Sequence, residues 1–215
     1  MLVSPSLLAA DFGNLEREMT WFNASDADLL HLDLMDGIFV PNLSFGFPVL
    51  EAVARLCTKP LDAHLMVQRP QDYLPRMLKL PNLRYFNFHV ESDCDVTDLL
   101  GQVRKAGLPC ALTISPDTPV AALRPWLNVL DMVLIMSVYP GFGGQKFIPA
   151  TLSRVRELKA MAKEAGKEIL IEVDGGVNHE TSPQLALAGT DILVAGSYVF
   201  GSADPAGRVS ELKAL

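Results

Sequence analysis

Short runs of apolar residues alternate with longer amphipathic stretches along this chain of 215 residues. Eight of the short runs are almost continuously apolar and rich in leucine and β-branched residues. This pattern is typical of strands buried on both faces, as in parallel sheets. The predicted strands are Leu2–Leu8, Leu29–Leu34, Leu61–Val67, Arg84–Val90, Cys110–Ile114, Met132–Val138, Glu168–Val173 and Asp191–Ala195.

The stretches between these runs carry apolar residues at helical spacing, and several end at a glycine, which favours the end of a helix. The clearest predicted helices are Asn14–Phe22, Phe47–Leu56, Asp95–Ala106, Ala150–Ala165 and Thr181–Ala188. Eight strand-helix units in this length give about 27 residues per unit, which suits a compact βα repeat.

Two architectures fit such a repeat, an open doubly wound sheet and a closed (β/α)8 TIM barrel. The open sheet should carry a glycine-rich turn after its first strand, but that turn reads Ala-Ala-Asp-Phe-Gly. The barrel should place polar and glycine residues after many strands, as this sequence does. No linker divides the chain, so we expect one (β/α)8 barrel domain over residues 1–215.

Composition excludes several classes of protein. Hydrophobic residues make up 49% of the chain, and 18 basic against 25 acidic residues give a net charge of −7. Disorder is excluded, and a nucleic-acid partner is not expected without a basic face. The apolar runs are too short to span a membrane. Three cysteines without a paired motif and an amino terminus unlike a signal peptide predict a cytoplasmic protein with reduced thiols.

Polar residues recur where the predicted strands end. His31 and Asp33 are two residues apart between leucines, so both point to one face of their strand, into the barrel. His64 and Asp174 end two further strands at the same end of the barrel. Taken singly, each has an ordinary structural explanation. Together, two imidazoles and two carboxylates fit a divalent transition metal such as zinc, manganese or iron(II).

Glycine turns form a second group of candidate site residues. They follow the last three predicted strands and comprise Gly141, Gly143 and Gly144, then Gly175 and Gly176, then Gly196 with Ser197. Phosphate sites in barrels cluster at these loops, where backbone N–H groups approach an anion. Three methionines near the strand ends (Met35, Met66 and Met136) are interpreted, from the residues alone, as core filler.

A phosphate site beside a metal and two carboxylates suits a phosphorylated sugar. A divalent ion stabilises the enediolate that forms when a proton leaves the carbon beside a ketone. Asp33 and Asp174 belong to strands three apart around the ring, so one can remove a proton from one face while the other returns one to the opposite face. The sequence therefore predicts an epimerase that needs no organic cofactor.

Long segments of the chain resemble the ribulose-phosphate 3-epimerase family, over essentially its whole length. These segments are Ser4–Phe12, His31–Gly46, Asp62–Val67, Val138–Pro149, Val173–Asn178 and Val194–Gly201. The resemblance implies a (β/α)8 barrel that interconverts D-ribulose 5-phosphate and D-xylulose 5-phosphate with one divalent metal ion. Zinc is expected first, and iron(II), manganese or cobalt are alternatives.

The resemblance also implies roles for individual residues. His31, Asp33, His64 and Asp174 would be metal ligands, with Asp33 as proton acceptor and Asp174 as proton donor. Ser6, His64 and Asp174 would contact the substrate, and Met35, Met66 and Met136 would line the site. The remaining substrate-binding positions would be Gly141, Phe142, Gly143, Gly144, Gly175, Gly176, Gly196 and Ser197.

Alternatives stay open at this stage. Tyr139 and Ser115 depart from the family's usual residues near the mouth, so a related ketohexose-phosphate 3-epimerase, such as one acting on allulose 6-phosphate, is possible. Other phosphate-binding barrels, of the tryptophan or thiamine pathways, lack the His/Asp set. A non-catalytic sugar-phosphate sensor has no support, because every ligand and acid/base position is filled. We expect a small sugar phosphate as the partner, and association of identical copies.

Overall fold

Eight parallel strands form a ring in the computed structural model, which describes residues 1–215. Each strand pairs with its neighbours in the order β1-β8-β7-β6-β5-β4-β3-β2, and a parallel bridge between Ser6 and His31 joins β1 to β2. The strands are β1 (Leu2–Pro5), β2 (Leu30–Met35), β3 (Leu61–Met66), β4 (Leu83–His89), β5 (Cys110–Ile114), β6 (Met132–Met136), β7 (Leu170–Asp174) and β8 (Ile192–Ala195). The predicted (β/α)8 barrel is confirmed.

Helical segments follow the strands and cover the outside of the ring. The α-helices are α1 (Leu15–Ala24), α2 (Phe47–Leu56), α3 (Leu74–Met77), α4 (Val96–Lys105), α5 (Thr151–Glu164), α6 (Ser182–Ala188), α7 (Ser197–Phe200) and α8 (Pro205–Lys213). Short 3-10 helices lie at Leu7–Ala9, Phe12–Asn14, Pro70–Asp72 and Val120–Trp126. No helix has both the length and the apolar composition needed to cross a membrane.

The alternation of side chains along each strand divides the barrel into two environments. In β2, Leu30, Leu32 and Leu34 point outward and are buried beneath the helices. Burying each leucine contributes about 1.5–3 kcal/mol. His31 and Asp33 point inward instead. At the amino ends of the strands the interior is apolar and includes Tyr85, Ala111, Met132 and Ile192, whereas towards the carboxyl ends it becomes polar.

Most predicted boundaries agree with the structure to within two residues, and the end of β1 differs by three. β1 ends at Pro5 rather than Leu8, because the Ser6 hydroxyl accepts a hydrogen bond from the Leu8 amide and begins a 3-10 turn. Asn14 makes no capping hydrogen bond at the start of α1, and Asp11 caps the preceding turn instead, accepting from Gly13 N–H at 3.0 Å.

The turn after β7 requires glycine twice. Gly175 has φ +115°, and a Cβ there would lie 2.4 Å from a methyl carbon of Val138. Gly176 has φ +63°, and a Cβ would lie 2.6 Å from the backbone nitrogen of Phe147. Both the backbone conformation and the close approach exclude a side chain, so this turn is fixed tightly against the loop after β6.

We predict that Gly176→Ala destabilises the chain more than Gly166→Ala does. Gly166 has nearly the same φ, +64°, but open space around it, so the matched pair separates crowding from backbone strain. The left-handed conformation costs about 1–2 kcal/mol for an L-residue, and the forced shift of Phe147 adds about 1–3 kcal/mol. Urea unfolding measures the free energy of unfolding of both variants. Equal losses of this free energy in the two variants would show that crowding at Gly176 has no effect.

Candidate active site

A cavity of about 660 Å³ opens at the carboxyl ends of the strands. The loops that follow β1, β6, β7 and β8 form much of its wall, as expected for a barrel whose βα loops converge on one face. At its base lie two carboxylates, Asp33 and Asp174.

Four side chains from three strands converge at this base. His31, Asp33, His64 and Asp174 each offer one ligand atom, and these atoms lie within 4.8 Å of one another. Asp33 Oδ1 is 3.4 Å from His31 Nε2 and 3.0 Å from His64 Nδ1, and these two nitrogens are 3.4 Å apart. The other oxygen of Asp33 accepts a hydrogen bond of 2.6 Å from the Ser6 hydroxyl.

Each histidine of the cluster is held through its second nitrogen. His31 Nδ1 lies 2.6 Å from Asp62 Oδ2, and a further carboxylate, Glu172, lies 3.9 Å away. His64 Nε2 lies 2.9 Å from Nε2 of His89, the last residue of β4. The nitrogens that face the cluster centre are therefore Nε2 of His31 and Nδ1 of His64.

Burial and mutual charge separate the pKa values of the two cavity carboxylates. Burial acts to raise the pKa of Asp33, but His31 and His64 outweigh it and hold the pKa well below its ordinary value. Burial, reinforced by the negative charge of Asp33, raises the pKa of Asp174 to about 7. In the metal-free protein near neutral pH, Asp33 is thus a carboxylate while Asp174 still carries a proton for much of the time.

The pKa values of His31, His64 and Glu172 also depart from their ordinary values. Burial lowers the pKa of His64 to about 4. Burial also acts to lower the pKa of His31, but Asp33 and Asp62 outweigh it and raise the pKa well above its usual range. Burial and the neighbouring Asp62 raise the pKa of Glu172 well above normal.

Backbone amides line another part of the cavity wall. The turns at Gly175–Gly176 and Gly196–Ser197 lie on the wall, and the amides of Gly176, Gly196 and Ser197 donate no hydrogen bond within the chain. Ser197 begins α7, so its amide is one of the free donors of a helix start. Free amides in a glycine-rich turn form a suitable environment for an anion.

The structure brings most of the predicted site residues to this cavity. Those that line it are Ser6, Asp33, Met35, Met66, Met136, Gly141, Phe142, Gly143, Gly144, Asp174, Gly175, Gly176, Gly196 and Ser197. His31 and His64 are fully buried beneath the base and do not line the cavity, so substrate contact by His64 stays a prediction. Tyr139 lines the mouth, whereas Ser115 contacts His89 at 3.2 Å instead.

Three buried polar residues in contact with the cluster were absent from the predicted set: Asp62, Glu172 and His89. Asp62 and Glu172 each stand two residues before a predicted site residue, on the same inward face of its strand. His89 ends β4, two residues beyond Asn87, which is the register partner of His64. Period-two alternation predicts that all three point inward, whereas their contacts with the cluster follow from the register between strands.

The donor set fits a divalent metal ion. Imidazole nitrogens and carboxylate oxygens suit zinc and its neighbours, and both histidines aim one nitrogen at a common centre while a second partner holds the other nitrogen. A neutral His64, with its pKa of about 4, has a lone pair available for an ion. The cluster is therefore a candidate metal centre at the base of the cavity.

Fold and cavity together define a (β/α)8 barrel with a candidate His/Asp metal centre beneath an amide-lined mouth. The model of the ribulose-phosphate 3 epimerase family matches residues 2–200, and the chain belongs to this family. A ribulose-phosphate 3-epimerase of Bacillus subtilis is 42% identical over 98% of this chain and 97% of its own length. One from Mycobacterium tuberculosis is 42% identical over 99% of this chain and 91% of its own.

Solved structures with lower identity share the fold alone. A 3-hexulose-6-phosphate synthase from Salmonella typhimurium superposes with a TM-score of 0.68 at 19% identity, covering 100% of this chain and 97% of that one. A tryptophan synthase from Mycobacterium tuberculosis superposes with a TM-score of 0.71 at 16% identity, covering 99% of this chain and 91% of that one. The barrel is therefore common to several chemistries, and the family is assigned by sequence.

We predict that divalent metal binds more tightly as the pH rises from 6 to 8. An ion must displace the proton of Asp174, whose pKa is raised to about 7, and that of His31, whose pKa is also raised. Because Asp174 already loses its proton over this pH range, the number of protons released when the metal binds should fall by about one between pH 6 and pH 8. Calorimetric titration in buffers of different ionisation enthalpy measures this number. An affinity independent of pH between 6 and 8 would contradict the assignment.

Proposed function

We propose that this chain interconverts D-ribulose 5-phosphate and D-xylulose 5-phosphate by moving the proton at C3. The observation that carries the proposal is the pair of carboxylates, Asp33 and Asp174, in a cavity whose wall also offers free backbone amides. Membership of the ribulose-phosphate 3 epimerase family supports the same substrate.

The substrate's phosphate fits the amide-lined wall. The amides of Gly176, Gly196 and Ser197 are free donors on an otherwise acidic protein, and they need no lysine or arginine to receive an anion. Phosphate held there directs the ketose chain towards Asp33 and Asp174. Binding energy from the remote phosphate then orients the reacting carbons.

The ligands for one divalent ion would be His31, Asp33, His64 and Asp174, a set that suits zinc and also accommodates iron(II), manganese or cobalt. When bound, the ion supplies positive charge that polarises the ketone and stabilises the negative charge left when the C3 proton departs. Ser6 donates a hydrogen bond to Asp33 Oδ2, which holds this carboxylate in a fixed orientation.

The two carboxylates divide the proton transfers. Asp33, whose pKa lies well below normal, is ionised and accepts the C3 proton of D-ribulose 5-phosphate, leaving an enediolate. Asp174 donates a proton to the opposite face of C3 and gives D-xylulose 5-phosphate. The reverse reaction exchanges the two roles, and environments that push two pKa values apart suit such a pair.

Three methionines cover the reacting end of the cavity. Met35, Met66 and Met136 line it and are at most 7% exposed. Thioethers neither donate a strong hydrogen bond nor accept a proton, so they keep water and competing acids away from an enediolate. This supports a role in lining the site beyond filling the core.

An assay of purified protein tests the proposed activity. We expect D-ribulose 5-phosphate to be epimerised with a higher kcat/KM than allulose 6-phosphate, and unphosphorylated D-ribulose to be a very poor substrate because it lacks the remote anion. Chelation should abolish turnover and added divalent metal should restore it. A higher kcat/KM on allulose 6-phosphate would favour the ketohexose-phosphate alternative, and full activity in demonstrably metal-free protein would refute the metal requirement.

Isotope exchange in D₂O tests the division of roles. With Asp33→Asn, only Asp174 remains, so the C3 proton of D-xylulose 5-phosphate alone should exchange with solvent. With Asp174→Asn, only D-ribulose 5-phosphate should exchange, and neither variant should epimerise. Metal content is measured in both variants, because both residues are proposed ligands. If metal-loaded Asp174→Asn epimerises at close to the wild-type rate, Asp174 is not the second acid/base group.

A further inference from the structure

A chain of hydrogen-bonding groups leads from the metal cluster to the loop after β5. His64 Nε2 faces His89 Nε2 at 2.9 Å. His89 Nδ1 lies 3.1 Å from Glu91 Oε2 and 3.2 Å from the Ser115 hydroxyl. Both imidazoles are fully buried, and the ring of Phe39 packs on His89 with centroids 4.8 Å apart. Neither imidazole therefore has water as an alternative partner.

Two imidazole nitrogens at 2.9 Å share a single hydrogen, because one must donate and the other accept. If His64 Nδ1 is to offer its lone pair to a metal ion, the hydrogen of His64 must lie on Nε2. His89 Nε2 must then accept, which places the hydrogen of His89 on Nδ1. The tautomer of His89 is thus tied to the ability of His64 to bind the ion.

Glu91 is the group that fixes this tautomer. The Ser115 hydroxyl can donate or accept, so it fits either form of His89, whereas an ionised carboxylate only accepts. Burial acts to raise the pKa of Glu91, but hydrogen bonds from His89, Thr118 and Ser115 lower it to about 2, so the group is ionised at neutral pH.

The position of Glu91 is itself held by the loop after β5. Its Oε1 accepts hydrogen bonds from the Ser115 amide at 2.9 Å and from the Thr118 hydroxyl. Arg154 of α5 donates to the carbonyl oxygens of Ser115 and Thr118 at 2.7 and 2.9 Å. Oε2 is therefore left directed at His89.

We propose that His89 and Glu91 are positioning residues that act through His64: Glu91 holds His89 as its Nδ1–H tautomer, and His89 accepts the Nε2–H of His64, so that His64 Nδ1 presents a lone pair to the ion. This inference rests on the proposed function, since it takes His64 as a ligand. His89, which is buried, and Glu91, which is partly exposed, thereby have a role in metal binding, although neither takes part in the proton transfers.

Glu91→Gln is the most direct test of this relay, the hydrogen-bonded series Glu91–His89–His64. The substitution should reverse the direction of its hydrogen bonds while it keeps the size and shape of the side chain. The amide oxygen of the introduced glutamine takes the donors from Ser115 and Thr118, so its NH₂ group faces His89 Nδ1 and favours the opposite tautomer. We expect the Kd for Co²⁺, measured by absorption titration, to increase roughly ten- to hundredfold. The urea midpoint of the metal-free variant should stay close to that of the wild type.

Two further variants separate positioning from a structural effect. Phe86→Leu changes a buried side chain on the outward face of β4, away from the cluster, and should leave the Co²⁺ affinity unchanged. In a His89→Phe background, Glu91→Gln should cause no further loss, because Glu91 acts only through His89. An unchanged Co²⁺ affinity in Glu91→Gln, or additive losses in the double variant, would overturn the proposal.

Nitrogen-15 NMR of the zinc-loaded protein observes the tautomers directly, and only four histidines need assignment. We expect His89 as the Nδ1–H form and His64 as the Nε2–H form, and His89 as the Nε2–H form would overturn the proposal. A wild-type chain that binds no divalent ion would contradict the metal centre of the proposed function. A normal wild-type site with an unaffected Glu91→Gln variant would contradict the positioning role alone.

Discussion

Ionisable groups that point into a closed barrel must be neutralised by one another, because the ring of strands excludes the water that would otherwise solvate them. Burying an isolated carboxylate or imidazolium costs several kcal/mol, so such groups persist only where each finds a partner. Here the partners lie on neighbouring strands: Asp62 is the register partner of His31, and His89 contacts His64 from a position two residues beyond Asn87, the register partner of His64. The register between neighbouring strands brings these side chains together, and the whole site therefore depends on that register.

The same constraint produces the chemical difference between the two carboxylates. Asp33 receives a hydrogen bond from Ser6 and faces two imidazoles, whereas Asp174 faces the charge of Asp33. One is a base and the other holds a proton, although both belong to one buried cluster. A divalent ion in such a cluster replaces protons rather than water, which links metal binding to pH. The acidic surface of the chain does not exclude an anionic substrate, because free backbone amides in the cavity offer hydrogen-bond donors to an anion locally.

Eight apolar runs predicted the strands, and the polar and glycine residues that follow them predicted the barrel and most of the residues at the cavity. His31 and Asp33 were visible because leucines flank them on the outward face. The partners Asp62, Glu172 and His89 lie on the same inward rows, but in sequence each is an ordinary polar residue within a strand. Their meaning comes from register between strands distant in sequence, which one chain's periodicity does not contain. The early end of β1 was missed for a local reason, since the Ser6 hydroxyl competes for a backbone amide.

A crystal structure of the zinc-loaded protein, with anomalous scattering recorded at the zinc edge, tests the central claim that the inward rows of three strands form one metal centre. We expect a single strong peak about 2.0–2.2 Å from His31 Nε2, Asp33 Oδ1, His64 Nδ1 and a carboxylate oxygen of Asp174. The second nitrogens of His31 and His64 should remain on Asp62 and His89. A peak held by other residues, or no peak within reach of these four, would contradict it.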